Sequence, residues 1–192
     1  MKSLNICIDI DGTITDAYYW LDIFNKHFNT NVTEEQVTEY YIHKVMGIRD
    51  NEYSEFYELH KFKIHSDQKL REDAKSVITK LSLDNNIYFI TARDRSLTML
   101  THVYLRKNKI PYDELFALGS HYKVDKAIDL NCNVFIEDSY ENSVQLSNAG
   151  FKVLLIDTNY NRRTLNENIL RVYNWNEIYT IVNKLLLQSK AM

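Results

Sequence analysis

What most narrows the fold of this chain is the place where its first acidic pair falls. Leu4, Ile6, Ile8 and Ile10 alternate with Asn5, Cys7, Asp9 and Asp11, a period-two pattern that predicts a β-strand ending with both carboxylates on one side. Gly12 follows at once, permitting a sharp turn off the strand and close approach of a ligand to the backbone. Two acids so placed can divide the work of phosphoryl transfer, one as nucleophile and its neighbour two residues on as proton donor to the leaving oxygen. For an isolated Asp-Gly the ordinary reading is a solvated turn. A calcium loop would place Asp9, Asp11 and Gly12 at its third, fifth and sixth positions. It would then need Cys7 as first ligand, Tyr18 as twelfth, and a helix where the alternating strand lies. The pair therefore awaits partners from elsewhere in the chain.

Those partners follow in order, each after another predicted strand. Ile87-Tyr88-Phe89-Ile90 runs into Thr91-Ala92-Arg93-Asp94-Arg95, so a hydroxyl and backbone amides stand just past a strand end, where they suit a phosphate oxygen. Asn133-Val134-Phe135-Ile136 runs into Glu137-Asp138-Ser139, with Asn142 four residues past Asp138. Between them, Tyr122-Lys123-Val124-Asp125-Lys126 offers a cation to phosphate or to an acyl-phosphate. Lys123 is preferred for that role, with Lys126 as its rival near the start of the same predicted helix.

Strands near 4–10, 87–91, 115–118, 133–137 and 152–157, separated by helical stretches, predict an α/β fold. Its form is a Rossmann-like parallel sheet with helices on both faces. Ligands of such sheets bind beyond the carboxyl ends of the strands, and all four motifs fall there. The gap between the first two motifs predicts a small helical cap inserted after the first strand. Residues 1–15 and 76–192 would form the core and 16–75 the cap. Within the cap, Trp20, Leu21, Phe24 and Phe28 recur at helical spacing. Val32-Thr33-Glu34-Glu35-Gln36-Val37 reads as a capping box opening a second helix that Gly47 can end. A third helix is expected over about 51–63, and a fourth from Asp67, with Ala74, Val77, Ile78 and Leu81 on one face. The cap is rich in aromatics, among them Tyr19, Trp20, Tyr40, Tyr41, Tyr53 and Tyr57. Taken singly each suits core packing, although a nucleobase could stack on one of them.

Composition removes several classes of function. A chain of 192 residues can bury a sizeable core. A formal charge of −3 gives no basic footprint for duplex nucleic acid. No apolar run is long enough to span a bilayer, and Asp9 arrives too soon for a secretory signal. A cytoplasmic setting is expected, in which Cys7 and Cys132 are reduced core thiols. The six histidines show no metal-ligand spacing, so surface or packing roles are expected for them.

With Asp9-Ile10-Asp11-Gly12-Thr13, Thr91, Lys123 and Glu137-Asp138 with Asn142 in this order, the chain resembles the haloacid dehalogenase-like (HAD) hydrolase superfamily. The resemblance implies Asp9 as nucleophile, Asp11 as general acid/base, and Thr91 and Lys123 as phosphate-binding residues. It further implies Mg²⁺ held by Asp9, the backbone carbonyl of Asp11, and Asp138. Dehalogenases of that superfamily lack the second Asp and transport ATPases replace it with Thr, so Asp11 implies phosphate-ester chemistry. Glu137 departs from the superfamily's usual Gly or Asp, and is read as an acid that orients water behind the metal rather than as a ligand. The longer pattern is similar to bacterial nucleotidases grouped with the 5′(3′)-deoxyribonucleotidases. It runs from Ile8-Asp9-Ile10-Asp11-Gly12-Thr13-Ile14-Thr15 through Phe89-Ile90-Thr91-Ala92-Arg93 and Phe135-Ile136-Glu137-Asp138-Ser139 to Leu155-Ile156-Asp157-Thr158-Asn159-Tyr160-Asn161. That likeness implies a Mg²⁺-dependent phosphatase acting on a nucleoside monophosphate, a small-molecule monoester, through an aspartyl-phosphate. The alternatives are a phosphatase or phosphomutase for sugar phosphates or other small metabolites, and a non-catalytic protein that binds Mg²⁺ and a phosphorylated ligand.

Overall fold

The computed structural model describes residues 4–191, so residues 1–3 and 192 of the expected core span lie outside the described residues. Six parallel strands are found among them: β1 (Asn5–Ile8), β2 (Asn86–Thr91), β3 (Glu114–Ala117), β4 (Val134–Glu137), β5 (Lys152–Ile156) and β6 (Ile169–Val172). They form one sheet in the order β3-β2-β1-β4-β5-β6. β1 is central: Ile8 lies beside Phe89 on one flank and Ile136 on the other. Ile, Val, Leu and Phe supply most of the strand residues, as a sheet covered on both faces requires.

The helices are α1 (Leu21–Phe28), α2 (Ile42–Val45), α3 (Asp50–Ser66), α4 (Ala74–Leu81), α5 (Thr98–Lys107), α6 (Val124–Asp129), α7 (Tyr140–Asn148) and α8 (Trp175–Ala191). Strand parity decides which of them each residue meets. Ile6, Ile8 and Ile10 pack in one cluster with Val77 and Ile78 of α4 and with Trp175, Ile178 and Val182 of α8. Cys7 and Phe135 point the other way, into a cluster with Val124 and Ala127 of α6 and Leu146 of α7. Asp9 shares the parity of Cys7, and Glu137 that of Phe135. Glu137 therefore ends β4, and Asp9 directly follows β1, toward α6, whose N-cap is Lys123. Cys7 and Cys132 are free and buried, as expected.

Four local expectations need correction. β1 ends at Ile8, although its ladder continues for one residue through the Asp9 N–H, which donates to Ile136 O at 2.9 Å. β6 was not expected: Ile169-Leu170-Arg171-Val172 is only four residues long, buried at its two ends, and at the sheet edge that pattern is too short to stand out. The capping box at Thr33 and Gln36 forms, but it opens a three-residue 3₁₀ turn instead of a long helix. Val37, Thr38, Tyr40 and Tyr41 are β-branched or aromatic residues that give up χ1 freedom in a helix, and the Tyr40 ring instead meets Tyr160 edge-on. The helix expected from Asp67 begins at Ala74. Residues 67–73 are used for the return from the insertion, where Asp16 N–H donates to Lys69 O (2.8 Å) and Arg71 N–H to Ile14 O (2.9 Å). The outgoing and returning strands of chain thus lie side by side. No described helix is long and apolar enough to cross a membrane.

Candidate active site

At the carboxyl edge of the sheet, Lys123 Nζ donates to Asp9 Oδ1 at 2.5 Å and to Glu137 Oε2 at 2.8 Å. All three side chains are buried. The other Glu137 oxygen accepts from Ser139 N–H (3.2 Å) and Asn142 Nδ2 (3.1 Å). Lys126, the rival lysine, reaches Asp129 at the surface (2.8 Å) and does not enter this group.

Asp138 completes the cluster. Asp9, Glu137 and Asp138 each bring a carboxylate oxygen within 4.8 Å of the others, the set among the described residues that could hold a metal ion. Tyr160 OH donates to Asp138 Oδ2, Thr13 Oγ1 donates to Oδ1 (3.3 Å), and Asn161 Nδ2 donates to the Asp138 carbonyl at 2.7 Å. Gly12 has φ +75° and lies against Asp138 and Tyr160; a Cβ there would overlap the carboxylate and come within 2.7 Å of the Tyr160 hydroxyl. Its lack of a side chain therefore has two causes, the left-handed backbone and the close approach. Burial pushes the Asp9 carboxyl well up, against Lys123 and with the help of Glu137 and Asp138. Burial and the Glu137 charge push Asp138 up to about 7.

Asp11 stands outside that cluster. Arg93 grips it with two nitrogens, Nε to Oδ2 at 2.8 Å and Nη2 to Oδ1 at 2.7 Å. Tyr19 OH (2.7 Å) and Gln68 Nε2 (2.6 Å) also donate to Oδ1, with His65 Nδ1 3.4 Å away. Burial works to raise the Asp11 carboxyl, but the Arg93 and His65 charges prevail and hold it well below the usual carboxylate range. Thr91 is buried at the end of β2, where its Oγ1 accepts from Arg93 N–H at 3.3 Å. Above these groups opens a cavity of about 410 Å³, lined by Asp11, Gly12, Arg93 and Asp138 from the sheet side and by Tyr19, Trp20, Tyr40, Tyr53, Phe56 and Tyr57 from the insertion.

Sequence reasoning singled out Asp9, Asp11, Thr91, Lys123 and Asp138, and the structure gathers all five at the same sheet edge. It missed Tyr19, His65, Gln68, Tyr160 and Asn161. Tyr160 and Asn161 sit in a run quoted for its likeness, and Arg93 directly follows Thr91-Ala92, so both runs carried a signal. Gln68 and His65 had none; His65 is buried against Tyr19, Tyr57 and Gln68 beside Asp11.

A parallel sheet with an acid pair after its first strand, a Thr ending its second, and a buried Lys and an acid converging from later segments defines a HAD-like hydrolase. Solved structures agree on the fold. The haloacid dehalogenase-like hydrolase SP0104 of Streptococcus pneumoniae superposes with TM-score 0.71 at 15% identity, covering 93% of this chain and 98% of that one. The magnesium-bound HAD-hydrolase YfnB of Bacillus subtilis gives 0.64 at 14%, covering 95% and 100%. The chain belongs to the family described as 5′ nucleotidase, deoxy (pyrimidine), cytosolic type C protein, whose pattern matches residues 2–192. A relative from Clostridium acetobutylicum, nucleotidase CA_C3379, is 62% identical over 192 residues, all of both chains. The protein is a hydrolase of the phosphatase and nucleotidase type.

Proposed function

We propose that this protein is a magnesium-dependent phosphatase that hydrolyses a nucleoside monophosphate, foremost a deoxyribonucleoside monophosphate, through an aspartyl-phosphate on Asp9. The observation that carries the reading is the buried Asp9 carboxylate with Lys123 on one oxygen and two further acids beside it. The cavity beside it, which Asp11 and Asp138 line and Asp9 does not, falls within the size range of small-molecule sites. Residues 16–75 act as the cap over a core of 1–15 and 76–192, because the chain crosses between them at paired segments and the cavity is lined from both. The reduced thiols of Cys7 and Cys132 suit work in the cytoplasm.

The residues present fit a magnesium ion. Three buried carboxylates face a single ammonium, and burial together with their mutual repulsion holds Asp9 and Asp138 above the ordinary acid range. Hard oxygen donors of this kind suit Mg²⁺. Asp9 and Asp138 would hold it with the Asp11 carbonyl, while Glu137, engaged on both oxygens, orients the cluster. The ion would supply charge neutralisation, letting an anionic phosphate meet an anionic nucleophile.

The protein's own groups then account for both half-reactions. An Asp9 oxygen attacks phosphorus, the bond from phosphorus to the ester oxygen breaks, and the departing alkoxide takes a proton from Asp11. Asp11 next takes a proton from water as the water oxygen attacks phosphorus, and the bond to Asp9 breaks to release phosphate. Lys123 offsets charge on the phosphoryl oxygens, with the Thr91 hydroxyl and the amides beyond β2. Gripped as it is, Asp11 is an ionised acceptor, the form that the second half uses. The first half requires it to carry a proton, for which the Tyr19 hydroxyl turns from donor to acceptor while Arg93 and Gln68 keep the side chain in place.

A panel of nucleoside 5′- and 3′-monophosphates, sugar phosphates and aryl phosphates, assayed for phosphate release with Mg²⁺ and with chelator, tests the reading. Fastest release from nucleotides, abolished by chelator, is expected. Equal rates on all esters would defeat the nucleotide assignment, and ligand binding without release would defeat catalysis.

A further inference from the structure

Asp11 has more donors than one side chain can supply, and they come from two parts of the chain. From the sheet side Arg93, only 3% exposed, presents its guanidinium edge to both Asp11 oxygens. Its remaining nitrogen is fixed on Thr101 Oγ1 of α5 at 3.0 Å. From the insertion side Gln68, also buried, closes the ring: Nε2 donates to Asp11 at 2.6 Å while Oε1 accepts from Arg93 Nη2 at 2.5 Å. His65 Nδ1 lies 3.2 Å from the Gln68 amide nitrogen, and Tyr104 OH holds the Gln68 carbonyl at 3.2 Å. Gln68 immediately precedes Lys69, which pairs with Asp16 where the chain returns from the insertion.

We propose that Arg93 and Gln68 are positioning residues for the proton-transferring carboxylate of Asp11, and that Gln68 makes its orientation depend on how the insertion is seated. The proposal rests on the reading of Asp11 as the acid-base group. A two-nitrogen Arg contact fixes the plane of a carboxylate as well as its place. A neutral amide that bonds both partners adds no charge, so what it contributes is geometry. Misplacing an acid by an ångström costs proton transfer far more than it costs nucleophilic attack from Asp9.

The test separates positioning from a plain structural clasp by the basicity of the leaving group. Substituted phenyl phosphates of similar size, from p-nitrophenyl to unsubstituted phenyl, differ mainly in how much the departing oxygen needs a proton. The parameter kcat/KM covers the steps up to its departure. In the full chain with Mg²⁺, Gln68→Met and Arg93→Lys should each steepen that dependence. The ratio of p-nitrophenyl to phenyl kcat/KM should rise on the order of tenfold, a fraction of what general acid catalysis contributes. Asp11→Asn should show the same signature more strongly. If both esters lose activity in parallel, the clasp is structural and the proposal fails. If Arg93→Lys does not fold, Gln68→Met, which keeps the volume, carries the test alone. A flat response in Asp11→Asn would instead show that the acid-base reading is wrong, and retained turnover in Asp9→Asn that the nucleophile is.

Discussion

At Lys123 one buried ammonium faces Asp9 and Glu137 at 2.5 and 2.8 Å. Removing one member of a buried ion group leaves the others uncompensated, at a cost of about 3–5 kcal/mol. Lys123→Ala should therefore lose stability on that scale in urea unfolding, with part of it restored by Mg²⁺. Lys126→Ala, which breaks a surface pair, should change it by less than about 1 kcal/mol. Equal effects would refute the assignment of the two lysines. At this scale the sequence was informative wherever a functional residue ended an apolar run, because strand parity and the sheet edge then dictate where it goes. The grip on Asp11 was invisible for the opposite reason. Tyr19 and Gln68 lie outside the helices and His65 in the last turn of α3, and only the way the insertion folds back beside Asp16 brings them together at Asp11.

Among the elements, the short turn at Asn159–Asn161 after β5 links the sheet edge to the acid cluster. Asn161 donates to Asp138 O and Ile156 O and accepts from Arg171 Nη1 of β6 at 2.6 Å. The strand that the sequence concealed is thus the one that braces the Asp138 loop. Asn161→Ala should cost about 1–3 kcal/mol for the buried groups left unpaired and should weaken Mg²⁺ binding by calorimetry. Unchanged affinity would show that the loop is held some other way. Of the five strands expected from sequence, the first was legible by its period-two alternation and the other four as short apolar runs between polar breaks. The insertion was less so. Its helix α1 follows plain helical spacing, whereas the segment after the capping box is governed by tertiary contacts of Tyr40 that no local pattern announces.

For the molecule as a whole, the acid cluster ties stability to pH and to metal together. Asp138, raised to about 7 by burial and Glu137, binds its proton more tightly when folded than when unfolded. Its contribution is full below the unfolded carboxylate range and is lost as pH rises through about 7; Asp9 shifts in the same direction. Asp11, held well below the ordinary range, stays ionised across this window and does not offset the loss. Mg²⁺ held at these acids would compete with those protons. The gap between Tm with and without Mg²⁺ should accordingly widen from about pH 5 to about pH 8. The same gap at both would count against metal binding at these acids.

The central claim is that Asp9 becomes phosphorylated during turnover. Acid quenching of the protein while it hydrolyses a nucleoside monophosphate, followed by mass spectrometry of its peptides, should find a transient phosphoryl group on Asp9 that disappears when substrate is exhausted. Steady phosphate release with no adduct on Asp9, or with the adduct on another residue, would contradict the account.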